Sequence, residues 1–170
     1  MHRYVSSLDG RWPESLTWER VKPNLLYIAE QSVINAGDSI KAPVAGKVIK
    51  VLEYYDKKRG ELRFITPQDL KDWKMSQQQV DAVVEKNMNA LISGRNLHLH
   101  NDGPVHYAWL DCPDAPSQAS LFLSEGFKKA MKVTLGLPVY VALPDRGTLY
   151  INPAANKSQI PLLSQELRDA

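Results

Sequence analysis

The sequence predicts an α+β fold, a mainly antiparallel sheet built from hairpins with helices packed on one face. Three observations carry that expectation. Paired β-branched and aromatic runs flank polar turns within residues 47–64, 96–110 and 139–151. Helix-start signals fall between the first and second pairs, and an amphipathic stretch falls between the second and third. A length of 170 residues, 44% hydrophobic and 24% charged, suits one ordinary globular domain.

The N-terminal 40 residues are the least readable, because Trp12-Pro13-Glu14-Ser15 and Lys22-Pro23-Asn24 are rich in breakers. Between them residues 16–21 suit a short helix, residues 25–29 form an apolar run of either type, and Asn35-Ala36-Gly37-Asp38 reads as a turn. From Lys47 the signal sharpens. Val48, Lys50, Leu52 and Tyr54 alternate with Ile49, Val51, Glu53 and Tyr55, a strand partly apolar on both faces, and Leu62 and Phe64 return after a polar turn at 56–60. Thr66-Pro67-Gln68-Asp69 opens a short helix with a capping hydroxyl, a proline and an acid. Ser76 and Gln79 form a capping box for a second helix. That helix carries Val80, Val83, Val84, Asn87, Met88 and Leu91 on one stripe and stops at Ser93-Gly94. Residues 96–100 and 105–110 flank Asn101-Asp102-Gly103-Pro104 as a second hairpin. One helix is expected over 117–133, with Ala119, Leu123, Phe127, Ala130 and Met131 inward and Lys128, Lys129 and Lys132 outward near its negative end. Residues 139–143 and 148–151 then bracket Pro144-Asp145-Arg146-Gly147 as a third hairpin, with Gly147 supplying a positive φ. The resulting domain spans 1–170, with its core at 47–151 and a polar tail at 152–170 that holds a short helix at 163–168.

Composition narrows the function classes. The longest apolar stretch, 135–143, is far below the roughly 20 residues that cross a bilayer, and residues 1–10 lack the apolar core of a secretory signal. The single cysteine, Cys112, permits no internal disulfide and fits a reducing compartment, so a cytoplasmic protein is expected. A formal charge of +2 provides no broad basic field for nucleic acid. One local cluster, Lys47, Lys50, Lys57, Lys58, Arg59 and Arg63, is the candidate for weak nucleic-acid binding, against the plainer reading of solvated strand ends.

An ordered set of segments resembles the YtpQ-like family of uncharacterised bacterial proteins. It comprises Leu62-Arg63-Phe64-Ile65-Thr66-Pro67-Gln68-Asp69-Leu70, Trp73-Lys74-Met75-Ser76, then Ala82, Asn87 and Leu91. The later run from Ala119-Ser120 through Phe127 and Met131 to Val139-Tyr140-Val141-Ala142-Leu143-Pro144 continues the likeness, so that it covers roughly 40–153. The resemblance implies a fold relationship and a bacterial setting. The family's function is unknown, so no catalytic residue is carried over.

The chemical candidates are few. His98 and His100 share one strand face. A register that pairs His100 with His106 gathers three imidazoles, with Asp102 or Asp111 available to complete a metal shell for a small hydrolase; pairing His100 with Val105 scatters them. Cys112 lies between Asp111 and Asp114, carboxylates that raise a thiol pKa, which suits a structural cysteine. Asn87 interrupts an apolar stripe and requires hydrogen-bond partners, as a polar anchor in the core. Asp145 and Arg146 at a hairpin tip, with Tyr54 and Trp109 among the strand aromatics, are the candidate contacts for a partner. No nucleotide-binding glycine loop, nucleophile elbow, zinc-protease helix or paired-cysteine motif occurs. The expected function is therefore a non-catalytic module, without cofactor, that binds another protein in a regulatory, assembly or immunity-type role.

Overall fold

The computed structural model describes residues 3–4, 16–34, 36–100, 107–161 and 165. It has an α+β fold whose strands, among the described residues, form one five-stranded and one four-stranded sheet. The chain divides into two compact units, residues 1–90 and 91–170, with one sheet in each. Among the described residues no helix is long and apolar enough to cross a membrane.

In the first unit the elements are β1 (Arg3–Tyr4), α1 (Trp18–Val21), β2 (Leu25–Gln31), β3 (Lys41–Ala45), β4 (Val48–Asp56), β5 (Glu61–Phe64), α2 (Pro67–Trp73) and α3 (Gln77–Ile92), whose last two residues belong to the second unit. A 3-10 turn at Lys22–Asn24 joins α1 to β2. The apolar run at 25–29 is thus strand, and it pairs antiparallel with β4 from Leu25↔Tyr54 to Gln31↔Val48. On its other side β4 pairs with β3 over its first half and with β5 over its second. The two meet at Leu52, whose N–H donates to Ile40 O and whose carbonyl accepts from Ile65 N. The first six residues of β2 and Val51–Tyr54 of β4 are all buried whichever face they occupy. The alternation of apolar residues on both faces of β4 anticipates this two-sided burial.

Both helix starts form as their residue types require. Asp69 N–H donates to Thr66 Oγ1 (3.2 Å) while Thr66 N–H donates to Asp69 Oδ2 (2.8 Å). Ser76 and Gln79 repeat the exchange, with N–H to Oε1 at 2.9 Å and N–H to Oγ at 3.3 Å.

The second unit contains β6 (Leu97–His100), β7 (Tyr107–Leu110), α4 (Glu125–Thr134), β8 (Val139–Ala142) and β9 (Tyr150–Pro153). Pairing of β7 with β9 fuses two hairpins into the order β6-β7-β9-β8. The single helix expected over 117–133 is instead a 3-10 turn at Gln118–Leu123 followed by α4. Ser124 breaks it: its backbone is extended (φ −87°, ψ 151°), and its fully buried Oγ accepts from Phe127 N–H and donates to Leu121 O. A serine hydroxyl that caps a new helix competes with continuation of the old one. Leu121, Phe127 and Met131 then pack with Ala108, Leu110, Leu149 and Ile151, so this sheet has its core on one face. The tail carries a 3-10 turn at Ala154–Gln159; the helix expected at 163–168 falls almost wholly outside the described residues.

Candidate functional site

Strand β7 reads Tyr-Ala-Trp-Leu, and period-two geometry sends Ala108 and Leu110 into the core and Tyr107 and Trp109 to the opposite face. Register completes that face. His98 lies opposite Trp109 on one side and Tyr150 opposite it on the other, and the next rung sets Tyr107 against His100 and Tyr140 against Asn152. The exposed His98 ring stacks on Trp109 with centroids 5.0 Å apart and planes 16° apart. Tyr107 is tilted by 50° to Trp109 at 6.1 Å and meets Tyr150 edge-on, at 88° and 4.9 Å. Such offset and edge-to-face pairs are the favoured aromatic geometries, worth about 0.5–1.5 kcal/mol each beyond area burial.

Beside these rings lies an open cleft of about 360 Å³, lined by Tyr107, Trp109 and Tyr150 together with Asp111, Gln118 and Thr148 at its polar parts. Its wall is fixed from behind. The Arg146 carbonyl accepts from Ala119 N–H (3.1 Å) and from Ser117 Oγ (3.3 Å), which ties loop 143–149 to the 3-10 turn. Asp145 accepts from Gly147 N–H (2.6 Å) and from Thr148 Oγ1 (3.2 Å). The expected tip contacts Asp145 and Arg146 therefore build the wall through these bonds. The third hairpin is wider than expected, with Ala142 paired to Tyr150, and a seven-residue loop places no demand for a positive φ on Gly147. A Cβ there would sit 3.3 Å from Asp145 Oδ1, a tight contact that Asp145 would have to relieve by a few tenths of an ångström.

Other expected residues lie elsewhere. Tyr54 is 4% exposed inside the first unit, because both faces of β4 are covered, so it is withdrawn from any surface role. His100 pairs with Tyr107, a register that neither expected hairpin had. His106 and Asp102 lie outside the described residues, as does the side chain of His100. Among the described residues no three His, Cys, Asp or Glu side chains group as a metal site.

Cys112 is fully buried and its Sγ donates to Leu91 O at 3.2 Å. Burial pushes its thiol pKa up; the Arg95 guanidinium pulls the other way, and the carboxylates of Asp114 and Asp111 add only the smallest upward push. The sequence points to the correct direction with the wrong leading cause. Asn87 anchors α3 by donating from Nδ2 to Lys22 O (2.7 Å) and Leu25 O (2.9 Å), the two ends of the turn before β2. Of the basic cluster, Arg63 bonds Asp69 at 2.9 Å, Arg59 faces the buried Asp56 at 3.9 Å, and Lys50 sits 4.2 Å over the Tyr27 ring.

Gln118 and Thr148 carry no signal in the sequence, while Tyr107 and Tyr150 belong to the strand aromatics from which an interface can be built. The large-small alternation of Tyr107 to Leu110 was the available signal for an aromatic face. Compared with models of protein families, with curated proteins and with solved structures, the chain matches none.

Proposed function

We propose that the chain is a non-catalytic binding module that holds another protein through the aromatic face of its second sheet. The observation that supports this reading is the alternating burial along β7: its core face is packed, while Tyr107 and Trp109, with Tyr150 of β9, remain half-buried beside a cleft. Aromatic residues of this kind dominate binding hot spots because they bring large area at low entropy cost. The buried Cys112, with its thiol held protonated, is a poor nucleophile. Within the Lys47-to-Arg63 cluster, ion pairing of Arg59 and Arg63 and the ring contact of Lys50 favour a structural role for those three charges over phosphate binding. The likeness to the YtpQ-like family adds a proposed setting, the bacterial cytoplasm, and no residue roles.

The test is affinity capture from the protein's own cell extract with the wild-type chain and with Trp109→Ala. A stoichiometric protein retained by the first and lost by the second is the expected result. No retained protein, or equal retention by a folded Trp109→Ala chain, overturns the reading.

A further inference from the structure

We propose that the cleft beside Trp109 is a cage for a methylated ammonium head group, an inference that rests on the aromatic face being the binding face. Three features of the cleft point to that chemistry. First, its rings are walls rather than a platform. Tyr107 is inclined 50° to Trp109 and 88° to Tyr150, so an object in the cleft meets aromatic surface from more than one direction. A planar base would stack on parallel faces; a compact, rounded group fits inclined ones. Second, the charges have one sign. Asp111 is exposed on the lining, and none of the nine lining residues is a lysine or arginine. Arg95, which also feels Asp111, is bonded to Asp114. An anion gains nothing in such a place, whereas a cation gains both the carboxylate and the negative ring faces.

Third, the cavity of about 360 Å³ is at the small end of ligand pockets, which run from roughly 300 to 1,000 Å³. Methylation matters because an unmodified ammonium is compact and strongly hydrated and must give up water on entry. A methylated one presents apolar surface to the rings and keeps its charge. The cleft is also preformed: His98 stacks on Trp109, Asp145 holds Thr148, and the Arg146 carbonyl fastens the loop. Little ordering cost then remains for binding.

The same head group occurs on a free small molecule such as choline and on a trimethylated lysine of a partner protein. Calorimetric titration of the full chain with choline, and with a short uncharged peptide bearing one trimethyl-lysine, covers both sources. Each is paired with its neutral carbon isostere, in which a tert-butyl group replaces trimethylammonium. At least one cation is expected to bind about tenfold more tightly than its isostere, the scale of a desolvated cation–π contact. Asp111→Asn, a change at an exposed side chain, lowers cation affinity severalfold and leaves the isostere unchanged; Trp109→Phe keeps a ring and weakens the cation. Equal affinity of cation and isostere, or binding of neither cation, overturns the cage. If Trp109-dependent capture of a protein persists in that case, the module reading stands and the cage alone fails; if capture is also lost, both fail.

Discussion

The two sheets use the same residue types in opposite ways. In the first, β2 and β4 are buried on both faces over Leu25–Glu30 and Val51–Tyr54, and the aromatic and amide tips nearby end on the protein's own groups. The Tyr27 hydroxyl donates to Asp81 Oδ1 (2.6 Å), Gln77 Nε2 donates to both (2.7 and 3.1 Å), and the Trp73 indole donates to Leu16 O (2.6 Å). In the second, burial alternates along β7, and Tyr107, Trp109 and Tyr150 lie against one another at the surface. A ring whose polar tip is bonded across 50 or more residues of chain fastens the fold. Rings that lean on each other around a cleft leave area for something else to cover.

The sharpest break of that contrast compares Leu52→Ala with Trp109→Ala. Leu52 has no exposed surface and sits where β3 and β5 meet on β4, so its truncation should cost about 2–5 kcal/mol in urea denaturation. Trp109 is larger yet half-buried, and its loss should cost only about 1–2 kcal/mol. A larger cost at Trp109 would mean that the aromatic face is core. Next in size, Asn87→Ala removes both donors to the carbonyls of Lys22 and Leu25, for a loss of about 2 kcal/mol. Asn87→Asp should be at least as damaging, since a carboxylate would face two carbonyl oxygens; a harmless Asp would show that those bonds do not hold α3.

Tyr27→Phe refines the picture at about 1 kcal/mol near neutral pH, the size of one net hydrogen bond. Burial first, and then the hydrogen bond and charge of Asp81, hold the Tyr27 phenol above its ordinary pKa of 10.0. The folded state therefore favours the protonated phenol. Its stabilisation is fully present below the unfolded pKa and declines as pH rises toward the folded one. Urea midpoints measured between about pH 9 and pH 11 should fall more steeply for the wild type than for Tyr27→Phe. Parallel curves would show that the phenol is no more shielded than in the unfolded chain.

The helix starts of the first unit were legible in sequence, more so than its sheet, in which β3 had no expected counterpart and the run that becomes β2 suited either type, and the reason is local. Thr66, Asp69, Ser76 and Gln79 decide their helix starts within three residues, so the capping geometry follows from the spacing alone. The two-faced apolar pattern of β4 likewise anticipated burial on both sides. What stayed hidden was long-range. No local rule tells that Asn87 would reach a turn more than 60 residues earlier, or that β9 would insert beside β7 and bring Tyr150 to Trp109. The helix break at Ser124 was legible in principle as a serine two residues before Gly126, yet the apolar spacing across it looked continuous. The cleft needed the tie from the Arg146 carbonyl to Ser117 and Ala119, a backbone contact without a sequence signature.

The smallest effect is expected at His98, and it bears most directly on the open face. Its exposed imidazole covers one side of Trp109 at 5.0 Å, so His98→Ala removes a single stacked pair at the surface and should cost about 0.5–1 kcal/mol. Near-ultraviolet circular dichroism should change more than the unfolding midpoint, because the indole loses an ordered neighbour while the core face keeps Ala108, Leu110 and Ile151. Metal content of the purified protein should be the same with and without the imidazole. Stoichiometric metal lost in His98→Ala would reverse the assignment, since a coordinating histidine and a ring that only props Trp109 predict opposite outcomes in that assay. If ligand affinity falls along with the dichroism while stability holds, the stack is confirmed as the element that keeps Trp109 turned to the cleft.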